Sequence, residues 1–418
     1  MMSTAMTRAV RPDANSPVSR VQGGLSLAVA DAGWATTENL FREMDRESVG
    51  VLMLKCMDYL NGWRRGLYPW SPPCRLRRSG PALWEQQLVL PTGWMKRYPR
   101  VGMRPIARSV RSWWGTLSPW RRGLVMLYPH YLYLRDQLRP DVSVYYNVDD
   151  YALYWPRQAD RVRALERAMV SSADLTVCVA RLRADELRAA VPEAAARIHH
   201  IPHGAPTPFL APRPLDRPGE PPVDIAHLPR PLLGYIGSME DRVDWELMDR
   251  LSLEFPRASI VVIGRAGSPV ARPWWEHCAR FLGRPNVHAI GWRPQEDLAR
   301  YYQSFDAALI PYGLDHPFNR ACSPTKIMDA MGSGRPIVAT AIPECRLHAD
   351  RFHVADDAGA FVGAVRQVLD GGSDDGRAAI RHAYAVAHSC RGVGDRLLDL
   401  IDERLVGEPT PGRSPAHP

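Results

Sequence analysis

Short apolar runs alternate with stretches of helical period along most of the chain. Val49 to Lys55 (VGVLMLK), Leu124 to Tyr128 and Val142 to Val148 are strand-sized apolar runs. Such runs suit parallel strands buried on both faces. Arg157 to Val170 places Val162, Leu165, Ala168 and Met169 on one helical face. Leu175 to Ala180 and Ile198 to Pro202 read as strands again. From Ala205 to Pro231 the chain is crowded with proline and has no period, which suits neither a helix nor a central strand. The alternation then restarts. Leu232 to Ile236, Ser259 to Ile263, Val287 to Ile290, Ala307 to Ile310 and Ile337 to Thr340 are predicted strands. Asp244 to Phe255, Gln295 to Tyr302 and Thr325 to Met331 are predicted helices.

This alternation predicts two α/β domains, each a parallel sheet covered by helices. The expected division is a disordered leader over 1–48, an N-terminal Rossmann-like domain over 49–204 and a Pro-rich linker over 205–231. A C-terminal Rossmann-like domain follows over 232–385, then a helix over 386–408 that packs back on the first domain, and a disordered tail over 409–418. One short helix near Glu38 to Asp45 interrupts the leader. Two such domains facing each other invite a ligand cleft at the C-terminal ends of their strands.

Composition narrows the class. With 418 residues, 45% hydrophobic and 23% charged, the chain has the mix of an ordinary globular protein. The net charge of +8 favours an anionic partner such as a phosphorylated ligand or a membrane surface. Its seven cysteines are odd in number and widely spaced, without a C-x-x-C pair. That pattern predicts reduced thiols in the cytoplasm, with neither a disulfide framework nor a zinc site. The apolar runs are too short to span a bilayer, and no basic patch followed by an apolar run marks a signal peptide.

The most informative stretch is Cys322 to Thr340, CSPTKIMDAMGSGRPIVAT. Ser323 is a good N-cap, Pro324 suits a first helical turn, and Gly332 with Pro336 ends the helix. Lys326 then stands in the first turn, where a cation opposes the helix dipole. An anion docked at that end reverses the sign, and a diphosphate has the required charge. A solvated surface lysine fits equally well, so both readings stay open on the helix alone.

The stretch closely resembles the nucleotide-binding region of family 4 glycosyltransferases of the GT-B type, in a branch with Ser-Pro-x-Lys. Members carry Glu-Ala-Met-Ala-x-Gly-x-Pro-Val-Val-Ala; here Asp329-Ala330-Met331-Gly332-Ser333-Gly334-Arg335-Pro336-Ile337-Val338-Ala339 occupies the pattern. The resemblance gives Asp329 the nucleotide ribose hydroxyls, which a carboxylate can accept as a pair. It makes Lys326 a diphosphate ligand and places Ser323 and Pro324 in the donor site. Gly234-Tyr235-Ile236-Gly237-Ser238 resembles the opening strand and glycine turn of the second domain, with Arg242 following as a second diphosphate ligand or a surface arginine. Gly291 and Trp292 resemble the loop that packs on the base. Ala173 to Val179 and Ile201-Pro202-His203-Gly204 resemble first-domain pieces, with His203 in a structural role. Three departures stand out. The acid at 329 is Asp, one methylene shorter than the family's Glu; the family's other glutamate, eight residues earlier, falls at Ala321; and Asn61-Gly62-Trp63-Arg64-Arg65 follows the first predicted strand where a Gly-Gly loop is usual.

The resemblance implies two Rossmann-like domains across a cleft and transfer of a sugar from a nucleotide-diphosphate sugar. The acceptor would be a saccharide or lipid-linked, the configuration retained, and the setting the synthesis of surface polysaccharide or glycolipid. No cofactor is expected beyond the donor as co-substrate, and the lack of Asp-x-Asp predicts independence of metal. Two other functions stay open: a non-catalytic nucleotide-sugar binder and a sugar-nucleotide epimerase. On the acceptor side, Asp149 and Asp150 end a predicted strand. Either suits an acceptor hydroxyl or the charge that develops on the sugar, unless it caps the next helix. Finally, Trp94 to Arg122 interleaves Trp94, Trp113, Trp114 and Trp120 with arginines. It reads as a helix pair with core tryptophans or as a peripheral contact with an anionic membrane at the inner face. Nucleic acid is not expected as a partner.

Overall fold

A computed structural model of the chain describes residues 24–33, 35–44, 48–64, 76–95, 97–211, 214–215, 217–265 and 273–407. The first sheet contains β1 (Leu25–Ala30), β2 (Val49–Asp58), β3 (Arg77–Arg78), β4 (Leu83–Leu90), β5 (Arg121–Met126), β6 (Val142–Asn147), β7 (Leu175–Cys178) and β8 (Ile198–His200). Their order is β3-β4-β2-β1-β5-β6-β7-β8, and every pairing is parallel except β3 with β4. The second sheet contains β9 (Leu232–Ile236), β10 (Ser259–Ile263), β11 (Val287–Gly291), β12 (Ala307–Ile310), β13 (Ile337–Thr340) and β14 (His353–Ala355). Its order, β11-β10-β9-β12-β13-β14, is the doubly wound order 3-2-1-4-5-6. The chain is α/β, with two Rossmann-like domains of the GT-B architecture.

The disordered leader expected over 1–48 is wrong for its second half. Leu25–Ala30 is the central strand β1, paired in register with β2 and β5, and Ala35–Arg42 is a helix. Alternate β1 residues feed two cores: Leu25, Leu27 and Val29 on one face, Ala28 and Ala30 on the other. The one polar residue, Ser26, is tolerated because its hydroxyl donates to the carbonyl of Arg121 at 2.8 Å. The first domain therefore begins before residue 49, and Val49–Asp58 is its second strand. Residues 1–23, the tail over 409–418 and Cys74 lie outside the described residues.

The proline-crowded segment crosses to the second domain and packs on it. Phe209 and Ile225 are buried in the second core. The C-terminal helix Cys390–Gly407 returns to the first domain, where Val393, Leu397, Leu398 and Ile401 join the core beside Leu25 and Leu27. The two crossings touch each other. Ala205 N–H donates to the His388 carbonyl at 2.8 Å, and Cys390 N–H to the Ala205 carbonyl at 2.9 Å. Gly204 permits this approach, because a Cβ there would lie 2.6 Å from the Cys390 Cα.

Candidate active site

The C-terminal ends of the two central strands face each other, and two adjoining cavities open between the domains. The larger, of about 890 Å³, is lined by Gly237, Ser238, Arg242, Trp292, Lys326 and Asp329, with Thr36 and Tyr154 from the first domain. The smaller, of about 340 Å³, is lined by Asp149, Tyr128, Tyr151, Trp155 and His203 from the first domain, with Arg242, Cys322 and Ser323 from the second. Both volumes suit a small organic ligand.

Three features build the charged part of the larger cavity. β9 ends at Ile236, and Gly237 turns the chain away from the sheet. A Cβ at Gly237 would lie 2.9 Å from Lys326 Nζ and 2.8 Å from the Tyr235 hydroxyl, so only glycine leaves that lysine its place. Lys326 donates to the Tyr312 hydroxyl and sits 4.4 Å from that ring's centroid. Arg242 lies 5.5 Å from the same ring and 5.6 Å from Phe318. Two cations thus stand beside one tyrosine ring, and among the described residues neither has a carboxylate at ion-pair distance, an arrangement suited to an anion between them. Arg242 is fixed by Asn319 Oδ1 at 3.1 Å and the Cys322 sulfur at 2.8 Å.

Asp329 lines the same cavity and is half-buried. Burial pushes its carboxyl up to about 7, and the nearby Lys326 charge offsets only part of that. At the rim, Trp292 is 56% exposed, with the Arg265 guanidinium 5.3 Å from its ring. Gly291 closes β11 with a left-handed φ of 80°, so the chain turns there to present Trp292. Pro324 is buried beneath the motif.

The expected cap at Ser323 does not form. The helix spans Lys326–Gly332, its cap residue is Thr325, and no side chain caps it. The Ser323 hydroxyl instead donates to Glu344 Oε1 at 3.4 Å, and Glu344 Oε2 accepts from Arg181 N–H of the first domain at 3.2 Å. Tertiary partners outcompeted the local cap. Ala321 is buried, at the position where a second acid was sought.

The two first-domain acids have different fates. Asp150 Oδ1 accepts from Ala152 N–H at 3.0 Å and caps the helix Tyr151–Tyr154, so its expected role at the reacting sugar gives way to capping. Asp149 faces the smaller cavity and is 8% exposed. Its Oδ2 accepts from the Tyr154 hydroxyl at 2.6 Å and its Oδ1 from Asp150 N–H at 3.0 Å. Burial raises its pKa, against the pull of Tyr154 and Arg242. A buried network holds this loop. Asn147 Nδ2 donates to the Asp149 carbonyl and to Glu166 Oε1, both at 3.0 Å, and Glu166 binds Arg183 at 2.9 Å.

Several residues of the cleft escaped the sequence reading. His203 was given a structural role, yet it lines the smaller cavity, with its ring in hydrogen-bond contact with the Ser323 main chain. Burial lowers its pKa to about 4, so the ring is neutral near pH 7. Tyr154 packs edge-on against Phe318 of the other domain, ring centroids 4.8 Å apart. Asp31 ends β1 in a left-handed turn with φ of 71°, and burial pushes its carboxyl up to about 7. It stands in the loop after β1, whereas the Gly-Gly loop was sought at Asn61 to Arg65, because the first strand had been placed one strand too late. Among the described residues no group of three or more His, Cys, Asp or Glu could hold a metal ion.

Of the two readings of Trp94 to Arg122, its tryptophans mostly follow the one that makes them core. Trp94, Trp113 and Trp114 are buried, and Trp113 packs edge-on against Trp84 with centroids 5.6 Å apart. Among the described residues no helix is long and apolar enough to cross a membrane.

Comparison with known proteins agrees with this fold. Residues 230–371 match the family described as glycosyl transferases group 1. A curated relative, a putative teichuronic acid biosynthesis glycosyltransferase of Bacillus subtilis, is 24% identical over 148 residues, which are 34% of this chain. The match spans only 36% of that relative's length. A sucrose-phosphate synthase from Thermosynechococcus elongatus superposes with a TM-score of 0.69 at 14% identity, over 92% of this chain and all of the other. Anabaena HepE in complex with UDP and glucose superposes with a TM-score of 0.61 at 12% identity, over 90% of this chain and 98% of the other.

Proposed function

From a GT-B fold with a glycosyl transferases group 1 match in its second domain, we propose that this protein transfers a sugar from a nucleotide-diphosphate sugar to a hydroxyl acceptor. The observation that carries the reading is the pair of cations on Tyr312, with Asp329 below them and Trp292 at the rim of the same 890 Å³ cavity. The base stacks at Gly291 and Trp292, the ribose diol donates to Asp329, and the diphosphate lies between Lys326 and Arg242. The Gly237 turn brings the Ser238 main-chain N–H close to the same phosphates, while the Gly237 N–H is held by the Ile263 carbonyl at 2.8 Å.

The acceptor occupies the smaller cavity. Its walls combine the rings of Tyr128, Tyr151 and Trp155 with the Asp149 carboxyl, which suits a sugar ring and one of its hydroxyls. Arg242 and Tyr154 line both cavities. The acceptor hydroxyl therefore approaches from the side on which the phosphate departs, an approach that retains the anomeric configuration. Asp149 accepts a hydrogen bond from that hydroxyl as it attacks, while Arg242 and Lys326 take the charge left on the diphosphate. These two cations do the work a metal would otherwise do, so the transfer survives chelation. The acceptor is a saccharide or a lipid-linked saccharide, and the reaction serves the synthesis of a surface polysaccharide or glycolipid at the inner face of the membrane.

Calorimetry with UDP and UDP-glucose, followed by transfer assays with EDTA present, tests the proposal. Lys326→Ala should weaken UDP binding by roughly tenfold or more through loss of a charge-assisted bond. Unchanged affinity refutes the donor site, and an absolute need for added Mg²⁺ refutes the metal-free mechanism. Binding without transfer or hydrolysis would make the chain a nucleotide-sugar binder.

A further inference from the structure

The helix Pro99–Thr116 presents two unlike faces. Met103, Ile106, Val110, Trp113 and Trp114 are buried against the first sheet. On the opposite face Arg100, Arg104, Arg108 and Arg111 follow at helical spacing, and all four are exposed. With Tyr133, Asp136 and Gln137 they line a groove of about 680 Å³. Among the described residues none of these arginines has a carboxylate at ion-pair distance. The groove's one acid, Asp136, has Arg135 as its partner at 3.8 Å. The row is held in place: Arg111 donates to the Gln137 carbonyl at 2.6 Å, and Gln137 to the Arg100 carbonyl at 2.8 Å. Four like charges along one face repel one another, and no described residue supplies their counter-charge.

A second observation says what supplies it. Beside the first arginine, Tyr98 is 59% and Val101 56% exposed. The neighbouring helix Tyr59–Arg64 is tied to this end by Leu60 N–H donating to Thr92 Oγ1 at 3.3 Å, and it exposes Trp63 at 67%. We propose that this face docks on an anionic lipid bilayer, with the arginine row on lipid phosphates and Trp63, Tyr98 and Val101 at the interface. A soluble polyanion would satisfy the arginines alone and leave the apolar side chains in water. The apolar end also follows β4, whose C-terminal end lies on the cleft side of the sheet, so docking brings the cleft towards the lipid surface. The docking itself does not depend on the proposed transfer reaction.

Sedimentation of the full chain with vesicles tests this directly. It should sediment with phosphatidylcholine–phosphatidylglycerol vesicles at low salt but not with pure phosphatidylcholine. Binding should fall at about 1 M salt, where the screening length is ~3 Å. Arg104→Gln with Arg108→Gln should weaken it about 25-fold, about fivefold per arginine, with an unchanged melting temperature. Trp63→Ala should weaken what binding persists in salt. A wild-type chain that stays in the supernatant overturns the proposal, as does a double variant that binds equally well. Inorganic polyphosphate bound where vesicles are not would show a soluble polyanion site instead. UDP calorimetry on the same variants reads the donor site separately.

Discussion

Replacing Asp329 with Asn should stabilise the ligand-free protein above neutral pH while weakening its hold on a nucleotide sugar. Burial moves this carboxyl from 3.8 to about 7. Between those values the folded state keeps a proton that the unfolded state has lost, so the group's contribution to stability falls as pH rises. At 1.36 kcal/mol per pKa unit, the cost of the ionised, buried carboxylate reaches about 4 kcal/mol at pH 8 and about 2 kcal/mol at pH 5. Asn fills the same space without that cost, so the stability gap between variant and wild type should widen by roughly 2–3 kcal/mol from pH 5 to pH 8. Urea denaturation of both proteins, without ligand, measures the gap. The donor should show the converse. Its ribose hydroxyls need the ionised acceptor, so wild-type affinity for UDP-glucose rises as pH passes through 7, and the variant's stays flat and weaker. A stability gap that does not change with pH would refute the buried-carboxylate reasoning. Unweakened UDP-glucose binding by the variant would separate Asp329 from the ribose.

Two further outcomes are expected. Gly237→Ala places a Cβ 2.9 Å from Lys326 Nζ and 2.8 Å from the buried Tyr235 hydroxyl, so UDP affinity should fall by roughly tenfold and the melting temperature should fall with it; unchanged affinity would show that the lysine can move without loss. Trp113→Ala should cost about 3–5 kcal/mol in urea unfolding, because the ring is fully buried against Trp84, and a loss below about 1 kcal/mol would mean that the indole contributes little packing.

Five of the second domain's strands were legible because each carries its own local signal, whereas β14 and the helices Pro273–Leu282, Ala358–Asp370 and Ala378–Ala387 were not foreseen. Its strands are β-branched runs such as Ser259–Ile263, and Asp244 caps the following helix at Leu247 N–H as its side-chain chemistry suggests. The first domain carries less. Leu25–Ala30 is built of leucine, alanine and one serine, with a single valine, and it follows a polar stretch. Its strand character comes from β2 and β5 on either side, which no local pattern announces. Missing that strand displaced the search for the loop after it, and Asp31 was lost with it. β4 was missed for a similar reason: LWEQQLVL is only half-buried, so its polar residues mask a strand. Arginine spacing in Trp94 to Arg122 was visible, but helical phase decides which residues face water. The phase put the tryptophans inside and the arginines out.

The return of Cys390–Gly407 to the first domain has a consequence for how the chain matures. The core that holds Leu25, Leu27 and Val29 also needs Val393, Leu397 and Ile401. On the ribosome, the first domain is synthesised long before that helix emerges. Part of one face of its sheet therefore stays uncovered until Ile401 has been made, after all the described strands of the second domain. At this face the order of folding departs from the order of synthesis, because a helix made after the second domain's strands completes the first domain's core.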